Sequence, residues 1–277
     1  MQLGIFAKTF ARDSLETNLD AVRDSGFECT QYNLVCAGLP TLPDWIKPEL
    51  CQRIREAHAE RSLTMAALSG TFNIIHPDRE TLEANFKRLR TLARACRSLG
   101  TSTITLCTGT RDGENIWRRH PDNDSPRAWK DMVGSMKRIV DIAEEAEVTV
   151  GIEPEVNNVV DSAAKARRLL DELGSPNVKV VMDAANLFHA GQLRHMRDVL
   201  DEAFELLGKD IALAHAKDLS HDGDAGQEAA GTGVLDYDHY LKRLRRSGFA
   251  GPLIAHGLSE SQVTDCVRFL RDKLSDH

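Results

Sequence analysis

The chain has 277 residues, 42% of them hydrophobic and 28% charged, with a net charge of −7 at neutral pH. Such a length suits one (β/α)8 barrel or two small domains, and the balanced composition excludes a disordered or fibrous chain. The acidic balance argues against a broad nucleic-acid surface, and the apolar runs fall short of the ~20 residues a membrane helix needs.

Strand-like and helix-like segments alternate from end to end. The opening M-Q-L-G-I-F-A-K lacks the basic region, long apolar core and cleavage site of a secretory signal, and reads as a first strand. Apolar or β-branched runs predict strands at 2–7, 27–34, 64–69, 101–107, 148–153, 178–183, 211–216 and 252–256. Between them lie helical patterns. In 78–99, Leu82, Phe86, Leu89, Ala93 and Cys96 share a face, and Gly100 stands where a C-cap glycine belongs. In 125–147, Trp129, Met132, Val133, Met136, Ile139, Val140 and Ala143 do the same, opened by a Ser125-Pro126 cap and first turn. Gly26, Gly174 and Gly248 also follow helical patterns and precede strands.

Eight strand–helix repeats predict an α/β fold, a single (β/α)8 TIM barrel over 1–277. No G-x-G-x-x-G follows the first strand, which removes the main support for a dinucleotide site. Long loops at 108–124 and 219–236 fall on the side of a barrel where active sites are built. Cys29, Cys36, Cys51, Cys96, Cys107 and Cys266 show no metal or redox spacing. They read as small buried hydrophobes and fit a reducing, cytoplasmic setting.

The strand ends carry the chemistry. Strand five ends in G-I-E-P-E at Glu153, strand six in V-V-M-D at Asp183, strand seven in A-L-A-H-A-K-D with His215, and strand eight in L-I-A-H with His256. An ionisable residue ending an apolar strand is costly unless it is paired or binds a metal. Four of them on consecutive parallel strands, about 4.8 Å apart, converge on one point. Two carboxylates and two imidazoles suit one divalent metal ion: Mn²⁺ first, then Zn²⁺, Co²⁺, Fe²⁺ or Mg²⁺. Lys217 and Glu155, two residues beyond His215 and Glu153, share their inward parity.

Four segments, G-I-E-P-E at 151–155, V-M-D-A-A-N-L-F-H at 181–189, H-A-K-D at 215–218 and G-T-G-V-L-D-Y at 231–237, resemble the sugar phosphate isomerase/epimerase family. This is the xylose-isomerase-like barrel group that includes tagatose 3-epimerase, inosose dehydratase and hydroxypyruvate isomerase. The resemblance covers the whole chain in strand order. It implies a metal site in which Glu153, Asp183 and His215 are ligands. The family's fourth ligand is a glutamate, where this chain has His256; Glu260, four residues on, is the alternative. The resemblance also implies substrate contact by His189.

Further candidates lie in the loops. Arg111, Trp117, Arg118, Arg119 and His120 cluster after strand four, and Arg111 and Trp117 with Glu155 are expected to bind substrate. Gly231 and Gly233 could cradle a phosphate or shape the turn before Asp236.

The expected function is a metal-dependent isomerase or epimerase acting on a small sugar, keto-sugar or related polyol acid through an enediolate. Glu153 is the expected base, with His256 or Lys217 opposite it. The neighbouring alternative is a carbon–oxygen lyase. Two other classes are a phosphodiesterase resembling the abasic-site endonucleases and a non-catalytic binding subunit. The first is disfavoured because Asn186 stands where those enzymes place a histidine ligand. Expected partners are a sugar substrate, with no nucleic acid and no membrane, and a homo-oligomer is left open.

Overall fold

The computed structural model describes residues 1–275. Parallel strands β1 (Gln2–Phe6), β2 (Cys29–Tyr32), β3 (Thr64–Ser69), β4 (Thr103–Cys107), β5 (Thr149–Glu153), β6 (Val178–Asp183), β7 (Ile211–Asp218) and β9 (Pro252–Ala255) pair in that order. Strand β9 returns to β1, so the sheet is a closed barrel without an edge. The fold is thus a single TIM barrel. Around it lie α1 (Leu15–Asp24), α2 (Pro48–Glu60), α3 (Arg79–Leu99), α4 (Pro126–Ala146), α5 (Ala163–Leu173), α6 (Met196–Leu207), α7 (Tyr237–Arg246) and α8 (Val263–Ser275). No described helix is long and apolar enough to cross a membrane.

Local chemistry sets the element ends. Ser125 accepts a hydrogen bond from the Ala128 amide at the start of α4, and Gly100 adopts φ +95° after α3. Strand β2 is shorter than the apolar run 27–34. Asn33 stops it by accepting from the Val35 amide and opening a 3-10 turn. The predicted loop 219–236 holds an unforeseen rung, β8 (Glu228–Ala229), antiparallel to the end of β7.

The barrel interior is layered. Its floor is the apolar set Phe6, Cys29, Ala67, Val181, Leu213 and Ile254. Glycine is required beside it: a Cβ on Gly4 would lie 2.5 Å from Cys29 Sγ and 2.6 Å from Ile254 Cδ1. All six cysteines are free thiols, and all but Cys36 are buried.

Candidate active site

Strand alternation lifts one inward side chain per step, so the layer above the apolar floor is set by parity. On β5, β6, β7 and just past β9 it brings up Glu153, Asp183, His215 with Lys217, and His256. Pairing of Asp183 with His215 and of Cys107 with Glu153 in register fixes their heights. Glu153, His215, Lys217 and His256 line a cavity of about 520 Å³ at the C-terminal mouth, together with Phe6, Lys8, Gln31, Asn33, Thr105 and Glu155, while Asp183 is buried behind His215 and Lys217.

Asp183, His215 and His256 each offer a ligand atom, and these atoms lie within 4.8 Å of one another. Asp183 divides its oxygens. Oδ1 accepts from the Ala185 amide, as a cap, while Oδ2 stands 3.3 Å from His215 Nδ1 and 3.1 Å from Lys217 Nζ. Glu153 stands beside the trio, its Oε2 3.6 Å from His215 Nδ1. Its Oε1 accepts from Asn186 Nδ2 at 2.6 Å.

His215 is oriented from across the barrel. Its Nε2–H donates to Gln31 Oε1 at 2.8 Å, and Gln31 Nε2 donates to Thr105 Oγ1 at 3.0 Å. That leaves Nδ1 aimed at the carboxylates. His256 stacks on His215 with ring centroids 4.9 Å apart and planes 4° apart, and Phe6 stacks on its other face at 5.3 Å. His256 Nδ1 is buried without a hydrogen-bond partner. An orphaned imidazole nitrogen beside an aspartate and a second imidazole fits a divalent cation as its missing partner. Gly257, at φ +69°, lets the chain pass Lys217, whose Cγ and Cδ lie 2.8 Å from where a Cβ would sit.

The electrostatics follow from this crowding. Burial works against the His215 imidazolium, but Glu153 and Asp183 outweigh it and push its pKa up to about 9. Burial likewise opposes charge on Lys217, and Asp183, Glu153 and Glu155 outweigh it, holding the ammonium protonated. His256 is pushed down by burial and by the neighbouring His215 and Lys217 cations, so its imidazole is neutral. Burial next to Glu153 pushes Glu155 up to about 8.

Several expectations from sequence are not met by position. His189 does not reach the mouth; its Nε2 lies 3.0 Å from the Asp161 carbonyl, outside the cavity wall. Arg111 turns away because its guanidinium pairs with Asp131 on α4 at 2.5 Å. Arg118 pairs with Asp112, and Arg119 with Asp124 and the Val156 carbonyl. Trp117 does line the mouth. Glu260 is an exposed partner of Arg12 and does not enter the cavity. Gly231 and Gly233 wrap a buried carboxylate: Asp218 accepts from the Gly231 and Leu235 amides, and a Cβ on Gly233 would strike Asp218 and the Leu219 carbonyl. No room for a phosphate remains in that turn. Lys217 pairs with Asp183, the carboxylate contact that its place two residues beyond His215 allowed, and its ammonium holds its proton.

Sequence reasoning missed Gln31, Thr105, Phe6 and Asn157. Asn157 joins three loops, donating to the Trp117 carbonyl and to Asp224. Extending the inward parity of β5–β9 to β2 and β4 would have found Gln31 and Thr105.

A closed (β/α)8 barrel with carboxylates and two imidazoles at its mouth is the class that fold and site define. Within it, the chain belongs to the Xylose isomerase-like TIM barrel family, whose model matches residues 19–273. It is 22% identical over 269 residues to the ketose 3-epimerase of Arthrobacter globiformis, covering 94% of this chain and 84% of that protein. With L-ribulose-5-phosphate 3-epimerase UlaE of Shigella flexneri it shares 24% over 190 residues, 69% of this chain and 62% of that protein. A crystal structure of the IolI protein with a zinc atom superposes with a TM-score of 0.74 at 18% identity, over 100% of this chain and 97% of that one.

Proposed function

We propose that this protein moves a proton at the carbon beside the carbonyl of a small keto-sugar or related polyol, as an isomerase or epimerase. The observation that carries the reading is the convergence of Asp183, His215 and His256 within 4.8 Å, with Glu153 beside them on a fixed carboxylate. Asp183, His215 and His256 would hold one divalent metal ion, with Glu153 as a further ligand. The UlaE and ketose 3-epimerase relatives support sugar chemistry, and the bound zinc atom of the IolI structure supports metal binding in this fold.

Bound there, a divalent ion supplies Lewis acidity that favours an enediolate. The protein supplies the rest. Asn186 fixes one oxygen of Glu153, leaving Oε2 to take the carbon-bound proton and return it. Lys217, kept cationic by Asp183, donates toward negative charge developing on substrate oxygen. Neutral His256 is the other group in the layer able to accept a proton. One fixed carboxylate with an imidazole in place of a second favours one-base chemistry. A lyase reading has one specific support: Glu155 is buried, lines the cavity and leaves Oε1 unpartnered, and such an acid can protonate a departing hydroxyl.

The test is deuterium incorporation from D2O into a panel of ketopentoses and ketohexoses, free and phosphorylated, read by mass spectrometry. Glu153→Gln is expected to lower exchange by about 10²-fold or more, the usual loss for an acid/base group. Near-normal exchange in that variant would exclude Glu153 as the base.

A further inference from the structure

The two sides of the cavity differ in what they offer a ligand. Strands β5 to β7 and their loops present Glu153, Glu155 and Asp224, and hold the buried Asp183. The ends of β1, β2 and β3 present no carboxylate; they contribute Lys8, Asn33, Ser69 and Thr71. Lys8 follows β1 in a 3-10 turn, with Nζ 4.5 Å above the Phe6 ring that stacks on His256. Among the described residues it forms no ion pair. The other lysine of the cavity, Lys217, is neutralised by Asp183, and the nearby loop arginines are bound to their own acids.

The polar groups around Lys8 are set as donors. Asn33 uses Oδ1 to accept from the Val35 amide and from Thr41 Oγ1. Its Nδ2 is therefore the end left over, and it donates to no group among the described residues. Ser69 and Thr71, one step and one strand further, have hydroxyls with no hydrogen-bond partner among the described residues. A cation, an amide N–H and two hydroxyls on neighbouring strand ends of one cavity, with no carboxylate from those strands, match an anion's acceptor oxygens. The Phe6 ring stands between Lys8 and His256, the member of the proton-transfer layer on that side.

We propose that Lys8, Asn33, Ser69 and Thr71 form a subsite for an anionic group, phosphate or carboxylate, that the substrate carries away from its reacting carbon. The substrate is then a sugar phosphate or sugar acid rather than a neutral sugar. This rests on the sugar reading of the cavity for the body of the ligand, and the test separates the two. Ribitol, ribitol 5-phosphate and ribonate have no carbonyl, so their binding is independent of the enediolate chemistry.

Calorimetry on the protein as purified should show ribitol 5-phosphate or ribonate binding at least about ten-fold more tightly than ribitol, as for a charge-assisted contact. Lys8→Met should bring that ratio to within about two-fold. Lys8 is exposed and forms no ion pair, so the substitution leaves the fold intact. A phosphate advantage alone assigns the group as phosphate, and a ribonate advantage alone assigns it as carboxylate. A ratio near one in the unaltered protein, or a ratio that survives Lys8→Met, overturns the proposal.

Discussion

His215 and His58 are equally hidden from solvent, at 2% and 4% exposure, yet their imidazoles are driven in opposite directions. His58, on α2, sits between helix and barrel, with Nδ1 donating to the Ile54 carbonyl and Nε2 facing Thr30 Oγ1. No carboxylate stands beside it, and burial pushes its pKa down to about 4. His215 meets the same burial but has Asp183 and Glu153 at its Nδ1, and goes up to about 9. Desolvation is thus common to both regions, and the placement of carboxylates separates them. At the place of His58 the shell holds a neutral, doubly hydrogen-bonded imidazole, whereas the mouth is organised around charge.

Breaking the charge balance of the mouth should have the largest effect. Asp183→Ala strands Lys217, itself 5% exposed, and leaves His215 with one acid fewer. We expect a stability loss of about 3–5 kcal/mol, the usual cost of orphaning a buried ion. Elemental analysis is expected to find about one divalent ion per chain in the unaltered protein and none in the variant. Combining Asp183→Ala with Lys217→Met should restore most of the stability in urea denaturation and none of the metal. A double variant no more stable than the single one would show that Lys217 is not held by Asp183.

The shell histidine gives a smaller, pH-dependent effect. Its folded pKa lies below the ordinary value near 6.5, so between about pH 6.5 and 4 the unfolded chain binds the extra proton. The stability contribution is fully present above pH 6.5 and is lost as pH falls toward 4, on the order of 3 kcal/mol in all. Denaturant midpoints measured across this window should slope downward with acid, and His58→Gln should flatten the slope. An unchanged slope in the variant would place the proton uptake elsewhere.

Smallest of all is the expected effect of Glu260→Ala. Its ion pair with Arg12 is exposed, and such pairs are screened by water and salt and contribute little. Metal content and turnover should stay within about two-fold of the unaltered protein. A clear loss of metal would return Glu260 to the site.

The barrel was legible because strand runs, cap residues and C-cap glycines recur at regular intervals, and each is a local signal. Asp183, His215 and His256 were legible for a similar reason: an ionisable group ending an apolar run stands out in one dimension. What failed were groups whose role depends on a partner distant in sequence. Arg111 looked free until Asp131, twenty residues on, was seen to hold it. His189 lies six residues from Asp183, but its loop turns it toward Asp161. Gln31 is one uncharged residue in the short strand C-T-Q-Y, and only its contact with His215, 184 positions away, gives it meaning.

That glutamine has a consequence for how this mouth can vary. An amide has one donor end and one acceptor end; here Thr105 accepts from the donor end and the carbonyl faces His215 Nε2. The bearing of the imidazole is therefore shared with two residues on strands that carry none of the acids. Positions 31 and 105 act together: losing Gln31 removes the acceptor at His215 Nε2, and losing Thr105 removes the contact that steadies the amide. Lineages or libraries that keep the pair are free to exchange Lys8, Ser69 or Thr71 for another clientele while the ring keeps its bearing.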